Sequence, residues 1–241
     1  MKIATHQPDF LPYIGLFWKI YCCDVLVILD DVQYSKRGMH DFNYIKTPQG
    51  KYKLKVPVSC NYTSKINEVR IADETWYERH LKTLEMNYKR APYFYECQEF
   101  LKSFMRSGYK KLDKLNTDAY KCFMKSLGIE REIVLSSKLN IASVKEQRIL
   151  DICDVMNADV YVSGTGASAY QKKDDFTERG IDLRYAVFEP FTYNQLWGDF
   201  IPYLSVVDYI MNCGFDALKG EFEKWEMLPS ASMCQATNEV I

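Results

Sequence analysis

Short apolar runs alternate along the chain with stretches in which apolar residues recur every three or four positions. The apolar run at residues 25–29 is typical of a buried strand, residues 15–22 before it have helical spacing, and residues 2–5 read as extended up to His6. The same rhythm returns in the second half of the chain. Its predicted elements are strands at 132–136, 160–162 and 183–188 and helices at 144–157, 205–212 and 215–223. The alternation predicts an α/β fold with a Rossmann-like, mostly parallel sheet.

The middle of the chain departs from this rhythm. Residues 52–58 and 68–71 predict an antiparallel pair of strands, and the stretch that follows has a helical pattern. No run of Pro, Gly or charged residues marks a linker between domains. We therefore predict a single α/β domain over residues 1–225, with a helical insertion at about 75–128, followed by a C-terminal tail at 226–241.

The composition is that of an ordinary globular protein. Of the 241 residues 47% are hydrophobic and 26% are charged, and 31 basic against 32 acidic residues give a net charge of -1, which provides no bulk attraction to nucleic acid or to a membrane. The longest apolar runs are too short to span a bilayer, and the first residues lack the layout of a signal peptide. The eight cysteines have neither a CxxC pair nor metal-ligand spacing, so we expect free thiols, no metal site and a cytoplasmic location.

The segment after the first predicted strand carries the first candidate site. His6 ends that strand, Pro8 and Pro12 keep the next residues out of regular structure, and Gly15 begins a helix. The unpaired N–H groups at a helix start favour a phosphate, and His6 is suited either to hydrogen-bond that phosphate or to act as a general base. The substrate-binding candidates here are Gln7, Pro8, Tyr13 and Gly15. The alternative is a structural histidine that binds a backbone carbonyl beneath the turn.

A second candidate site follows the strand at 25–29. Asp30 and Asp31 lie at its end, where carboxylates suit a sugar hydroxyl, an amine or Mg²⁺. Lys36 and Arg37 are suited to clamp a diphosphate, although a solvated turn whose charges pair with one another is the alternative. The catalytic candidates are Asp30 and Asp31, and the substrate-binding candidates are Gln33, Lys36, Arg37, His40 and Asn43. Because the carboxyl ends of parallel strands share one edge, we expect these residues beside His6.

Two further segments offer binding groups. Ser163, Gly164 and Thr165 follow the strand at 160–162 and open a predicted helix. The N–H groups of such a small-residue loop suit a phosphate or a carboxylate, and a simple tight turn is the alternative. Farther on, Tyr193 and Gln195 suit hydrogen bonds to a nucleobase or a sugar.

Taken together, these segments resemble the WbqC-like protein family. The opening of that family is similar to His6-Gln7-Pro8 with Leu11-Pro12 and Gly15, followed by Lys19-Ile20 and Asp24-Val25. Its second block is similar to Leu29-Asp30-Asp31-Val32-Gln33-Tyr34-Ser35-Lys36. The further blocks, in chain order, are Val56-Pro57-Val58, residues 87–94, Tyr161-Val162-Ser163-Gly164, Tyr193-Asn194-Gln195, residues 204–208 and Asn212-Cys213-Gly214. The resemblance runs from residue 3 to about 214 and so covers nearly the whole predicted domain.

The resemblance implies a role in O-antigen or surface-polysaccharide biosynthesis, because members of the family are proposed to be glycine (aminoacyl) transferases. We therefore expect transfer of a glycyl, aminoacyl or related acyl group onto the amine of a nucleotide-linked deoxyamino sugar. The N-terminal loop with Lys36 and Arg37 would hold the diphosphate, and His6 or Asp30 would take a proton from the sugar ammonium. N–H groups at residues 164–167 would stabilise the oxyanion. The acyl donor stays open between an aminoacyl-tRNA, a carrier-protein thioester and an adenylate made from ATP with Mg²⁺.

Two other functions fit the same segments. One is a non-catalytic sugar-nucleotide-binding protein that partners a glycosyltransferase and needs no base. The other is an ATP-using adenylating enzyme or ligase, which the strand–histidine–helix opening resembles at the level of the fold.

Overall fold

A five-stranded parallel sheet lies at the centre of the computed structural model, which describes residues 1–169 and 171–227. The strands of the described residues are β1 (Lys2–His6), β2 (Val25–Ile28), β3 (Phe42–Thr47), β4 (Gly50–Lys55), β5 (Val58–Ser59), β6 (Arg70–Ile71), β7 (Glu132–Leu135), β8 (Val160–Gly164) and β9 (Asp182–Ala186). The central sheet has the order β7-β2-β1-β8-β9, and every neighbouring pair is parallel. This is a Rossmann-like order, so the predicted fold class is confirmed.

Helices cover both faces of this sheet. They are α1 (Ile14–Tyr21), α2 (Trp76–Tyr88), α3 (Phe94–Met105), α4 (Leu112–Ser126), α5 (Lys145–Val155), α6 (Lys173–Thr177), α7 (Val206–Cys213) and α8 (Phe215–Met227). α2, α3 and α4 form the predicted helical insertion. α7 begins at Ser205, whose side-chain oxygen accepts a hydrogen bond from the Val207 N–H, as expected of an N-cap serine.

The strands separate two apolar cores because their side chains alternate between faces. In β2, Leu26 and Ile28 face the larger core, which contains α1, the insertion, α7 and α8, while Val25 and Val27 face the smaller one with α5 and α6. All four side chains of β2 are therefore buried, which explains why this strand reads as an unbroken apolar run.

The predicted pairing of residues 52–58 with 68–71 is wrong for most of its length. β4 forms a hairpin with β3, and only the short β5 pairs with β6. Residues 42–47 have no apolar alternation from which β3 could be predicted, because this strand buries Asn43 and Lys46. The Lys46 ammonium is satisfied by the carbonyl oxygens of Gly198 and Asp199, at 3.1 and 2.6 Å.

The paths of the chain after β8 and at the C-terminus bear on two other local predictions. The helix predicted to open at Thr165 is one turn of 3-10 helix, Thr165–Ala167, and the next helix, α6, begins at Lys173. The predicted tail at 226–241 lies outside the described residues except for its first two positions, which belong to the end of α8. None of the seven cysteines within the described residues forms a disulfide. None of the helices described is both long and apolar enough to cross a bilayer.

The connection from β1 to α1 is held by side chains from distant elements. Asn116 on α4 donates to the carbonyl oxygens of Pro8 and His40, at 2.8 and 2.7 Å. Asn43 on β3 donates to the carbonyl oxygens of Phe10 and Leu11, at 3.1 and 2.9 Å. These bonds take the place of the regular hydrogen bonds that an irregular buried segment lacks. They also fix the direction in which His6 and its neighbours point.

Replacing Asn116 should therefore destabilise the protein more than replacing the neighbouring buried residue, Thr117. Asn116→Leu leaves two buried carbonyl groups unpaired, and we expect the free energy of unfolding to fall by about 2–4 kcal/mol. Thr117→Val is the matched control, because the buried Thr117 hydroxyl has no hydrogen-bond partner among the described residues. Urea unfolding of both variants measures the difference, and equal stabilities would contradict the anchoring role of Asn116.

Candidate active site

An open cleft of about 1450 Å³ lies where the carboxyl ends of β1, β2 and β8 meet. It is lined at these ends by Thr5, His6, Leu29, Ser163 and Gly164. From β1 and β8 the chain proceeds in opposite directions along the sheet, and ligands of such sheets bind at this switch point. The volume exceeds the roughly 300–1,000 Å³ typical of a small-molecule pocket, so the cleft has room for two substrates.

His6 belongs to a chain of four polar side chains that all line this cleft. Its Nε2 lies 3.1 Å from Oδ2 of Asp9, and its Nδ1 lies 3.0 Å from Nζ of Lys19. The other carboxylate oxygen of Asp9 lies 3.3 Å from Nδ1 of His40. The structure thus brings the predicted residues His6 and His40 together and adds Asp9 and Lys19, which the sequence analysis did not select.

The Asp9 carboxylate determines where the protons of this chain lie. Although burial raises the pKa of Asp9, its contacts with His40 and His6 outweigh that effect and hold the pKa well below its usual range. An ionised carboxylate only accepts hydrogen bonds, so Nε2 of His6 carries the proton and donates to Asp9. Nδ1 of His6 is then the acceptor, and Lys19 donates to it. Burial, together with the Lys19 charge, lowers the pKa of His6, so the ring is neutral near pH 7.

Lys19 is an unusual residue in a helix whose residues 14–20 are all buried. Its side chain is buried, and its Nζ donates to the backbone oxygen of Thr5 at 2.9 Å as well as to His6. Burial lowers the pKa of Lys19 from 10.5 to about 8, against the opposing influence of Cys23 and Asp9. A lone lysine within an otherwise apolar helix is the sequence signal that would have identified it.

The two predicted carboxylates after β2 have different surroundings. Asp30 is 2% exposed, and its carboxylate accepts hydrogen bonds from Ser137 N–H (2.9 Å), the Ser137 hydroxyl (2.6 Å) and Ser136. It is absent from the residues found to line the cleft, all of them in the described part of the chain. These surroundings do not support Asp30 as a proton acceptor, and its catalytic role stays a prediction.

Asp31 lines the cleft and forms a bidentate ion pair with Arg148 of α5, with both oxygens 2.6 Å from Nη2. Burial raises the pKa of Asp31, but the hydrogen bonds from Ser136 and Arg148 outweigh it, so the net effect is a lowered pKa. Arg148 also donates to the carbonyl oxygens of Ile141 and Ser143. Arg148 thus connects the end of β2 to the loop before α5. Its positive charge neutralises the Asp31 carboxylate.

The cations that face the cleft are not the ones predicted. Lys36 and Arg37 are exposed and are not part of its lining, so a diphosphate bound in the cleft would not contact them there. Lys65 and Lys145 do line it, and neither ammonium has an ion-pair partner within the described residues. Lys145 has a φ of 57°, a left-handed conformation that is uncommon for a non-glycine residue and is frequent at functional sites.

The predicted small-residue loop reaches the cleft, with Ser163, Gly164 and Thr165 all in its lining. A Cβ atom placed on Gly164 or Gly166 would meet no atom within 4 Å, so the glycines leave open space beside the backbone. Gln7 and Gln33 also line the cleft and are exposed. The side-chain amide of Gln33 donates to the carbonyl oxygen of Tyr62 at 3.2 Å.

Three rings form an aromatic wall of the cleft, defined here as Tyr13, Phe188 and Tyr203. The Tyr13 ring lies 5.8 Å from Phe188 and 6.2 Å from Tyr203 between centroids. Gly15 is required for this packing, because a Cβ there would lie 2.3 Å from the Tyr13 ring and 2.8 Å from the Phe188 ring. Tyr203 is 54% exposed and has a left-handed φ of 58°, so a costly backbone conformation holds a largely exposed ring at the cleft.

The remaining predicted binding residues lie outside the cleft lining found among the described residues. Pro8 and Asn43 belong to the anchoring of the β1–α1 connection. The Tyr193 hydroxyl donates to the buried Asp208 carboxylate at 2.8 Å, and Gln195 binds the backbone of Ile201. Their binding roles stay predictions. The described residues contain no group of three or more His, Cys, Asp or Glu side chains able to hold a metal ion.

Comparison with known sequences finds relatives over most of the chain. The sequence profile described as the WbqC-like protein family matches residues 7–220. The uncharacterized protein Rv1507c of Mycobacterium tuberculosis (strain ATCC 25618 / H37Rv) is 32% identical over 220 residues, which are 90% of this chain and 95% of the relative. No solved structure matches the chain significantly.

The low pKa of Lys19 predicts a specific dependence of stability on pH. Because the pKa of Lys19 falls from 10.5 to about 8 on folding, the unfolded state binds more protons between these pH values, and stability rises with pH there. Between pH 7 and 11 the wild type should therefore gain about 3 kcal/mol relative to Lys19→Met. Urea unfolding at stepped pH measures this gain. A difference between the two proteins that does not change with pH would contradict the altered pKa.

Proposed function

The chain belongs to the WbqC-like protein family, and from its cleft we propose that it is a transferase that forms an amide on a nucleotide-linked deoxyamino sugar. The group transferred is a glycyl, other aminoacyl or related acyl group, and the reaction serves O-antigen or surface-polysaccharide biosynthesis in the cytoplasm. The observation that carries the proposal is the Lys19–His6–Asp9 chain of hydrogen bonds at the switch point of the sheet.

The lining of the cleft has the groups that the acceptor substrate requires. The aromatic wall offers ring faces on which a nucleobase can stack. Lys65 and Lys145, which have no ion-pair partner among the described residues, offer ammonium groups to a diphosphate in the cleft, whereas Lys36 and Arg37 lie outside its lining. His6, at the end of β1, is neutral near pH 7 and belongs to the chain of hydrogen bonds with Lys19 and Asp9. This chain is suited to bind the sugar amine and to accept the proton that the amine loses.

The proposed reaction uses these groups to form an amide. The sugar amine attacks the acyl carbon only as the free base, so its ammonium must first lose a proton. The new C–N bond forms as the bond to the leaving group breaks, and the leaving group departs with the electron pair. Backbone N–H groups of the loop at 164–167 lie beside the cleft and are suited to stabilise the oxyanion that develops on the acyl oxygen.

Nucleotide binding tests the acceptor half of the proposal. A dTDP- or UDP-linked amino sugar at 100 times its dissociation constant should stabilise the protein by about 2.7 kcal/mol, which a melting experiment detects as a higher Tm. Tyr203→Ala should weaken binding of the nucleotide sugar by about tenfold, because base–aromatic stacking contributes roughly 1–3 kcal/mol. Tyr95→Ala, which removes an exposed ring outside the cleft lining, is the control. Stabilisation by ATP alone would favour an adenylating enzyme instead.

Turnover tests the catalytic half. The assay contains a dTDP-linked amino sugar and one of three donors: a glycyl thioester, glycyl-tRNA, or glycine with ATP and Mg²⁺. His6→Ala should reduce amide formation at least ~100-fold, because it disconnects Lys19 from Asp9. Asp30→Asn tests the other predicted base. Since Asp30 is bound by Ser136 and Ser137, we expect this variant to lose stability but to keep its turnover per folded molecule.

Mass spectrometry of the product sugar measures both rates. Near-normal turnover in His6→Ala would remove the proposed site. Tight binding of the nucleotide sugar with no turnover by any donor would favour the non-catalytic partner of a glycosyltransferase.

A further inference from the structure

The buried lysine of α1 has two protein hydrogen-bond acceptors, which leaves one position on its nitrogen that protonation alone changes. Lys19 lies among the buried residues of its helix, and yet its side chain lines the cleft. Its Nζ has two protein acceptors, the Thr5 carbonyl oxygen at 2.9 Å and Nδ1 of His6 at 3.0 Å. These two bonds hold the amine in one position at the carboxyl end of β1.

A neutral amine has two N–H groups and one lone pair, whereas an ammonium has three N–H groups. In the neutral state both N–H groups of Lys19 are used by Thr5 and His6, and the lone pair is left without a protein partner. In the charged state the third N–H takes that position. The two states therefore differ by a single proton at a site whose other bonds do not change.

His6 is not arranged to accept that proton itself. Its Nε2 already donates to the Asp9 carboxylate, and its Nδ1 already accepts from Lys19. Both ring nitrogens are thus occupied, and a substrate amine would have to displace one of these bonds to reach a lone pair on the ring. His6 positions Lys19 and links it to Asp9.

The groups around Lys19 carry little charge apart from Asp9. Cys23, just after α1, faces Lys19, and burial raises the pKa of its thiol to about 12, so the thiol is neutral. His6 at the end of β1 is neutral near pH 7, and the Asp9 carboxylate, which also contacts His40, is the anion that faces the amine. Arg131 also acts on this thiol, and its positive charge lowers the pKa of Cys23 against the larger effect of burial.

We propose that Lys19 is the proton acceptor of the cleft, and that its neutral Nζ removes the proton from the acceptor amine as that amine attacks the acyl carbon. This inference rests on the proposed function. In the step, the amine nitrogen forms the C–N bond, and the proton that it loses goes to the Lys19 lone pair. The acyl carbon–leaving group bond breaks, the leaving group takes the electron pair, and Lys19 then returns its proton to the leaving group or to water.

A substrate-free measurement tests the state of the amine. Trace labelling of the whole chain with acetic anhydride over pH 6–11, read by peptide mass spectrometry, follows the fraction of each lysine that is neutral. Burial lowers the pKa of Lys19, so its labelling should have a midpoint of about pH 8. A lysine in an unstructured reference peptide has its midpoint near about 10.4. Lys46, also buried but outside the cleft lining, is the control for access of the reagent and should be labelled less than Lys19 at each pH.

Turnover of two variants tests the role of the amine. Lys19→Arg keeps a cation that donates hydrogen bonds but does not lose its proton below about pH 12, so amide formation should fall at least ~100-fold while KM for the nucleotide sugar changes little. The alkaline rise of kcat/KM near pH 8 that the wild type owes to Lys19 should disappear in the variant. Lys19→Ala should regain activity when methylamine or ethylamine is added, which also covers the case in which the larger arginine does not fold.

The outcomes separate this inference from the proposed function. Lys19→Arg with wild-type turnover, or Lys19 labelling that follows the reference peptide, would overturn the assignment even if amide formation is observed. A midpoint near pH 8 with amide formation abolished in Lys19→Arg and rescued by an alkylamine in Lys19→Ala would support it. A midpoint near pH 8 in a protein that forms no amide would support the neutral amine and reject the proposed acceptor.

Discussion

The irregular segment between β1 and α1 has to satisfy its buried carbonyl groups with side chains from distant parts of the chain, and the cleft depends on that constraint. Two prolines keep this segment out of a helix or a strand, so it has no ladder of its own. Asn116 and Asn43 donate three hydrogen bonds to the carbonyl oxygens of this segment, and Ser205 donates another to Leu11. The same segment carries Gln7, Asp9 and Tyr13 of the cleft lining, whose positions are therefore set by the insertion, by β3 and by the start of α7 together.

The polar groups of the cleft bind one another, so the charge of each depends on its neighbours. Asp9 is the one carboxylate of the hydrogen-bonded chain, and two imidazoles contact it from either side. Its backbone N–H donates to the buried hydroxyl of Tyr120 at 2.7 Å. Because that anion lies near Lys19, the lysine is retained in an apolar helix, and because burial is nearly complete, its charge is held only weakly. Lys19 is therefore an amine that can change charge near neutral pH, and burying its charge lowers the stability of the fold.

The sequence predicted the parts of this arrangement that follow from local patterns. The strands of the parallel sheet are short apolar runs, and His6 was found because it ends one of them before a segment with two prolines. Lys19 was missed because a lysine in a helix normally extends to solvent. Asp9 was missed because no local pattern in this segment shows which of its polar side chains contacts His6.

Which basic side chains line the cleft cannot be predicted from local sequence patterns. Lys36 and Arg37 follow a strand end, as phosphate-binding residues often do, but the path of the chain turns them outward and brings Lys65 and Lys145 to the cleft. Asn116 and Tyr120 act on a segment more than a hundred residues earlier. Such pairings become visible only when the whole fold is known, since they arise from the packing of the insertion.

The position of β1 in the middle of the sheet also has a consequence for biosynthesis. β1 is made first, but one of its two neighbours is β8, in which Val160 pairs with Lys2. At about 5–20 residues per second the ribosome takes roughly 10–30 s to add the chain between them. During that interval one edge of an apolar strand has no partner and is open to pairing with another chain. The nascent protein is therefore expected to need chaperone protection until β8 has emerged, and the cleft is completed only after Tyr203 has been added.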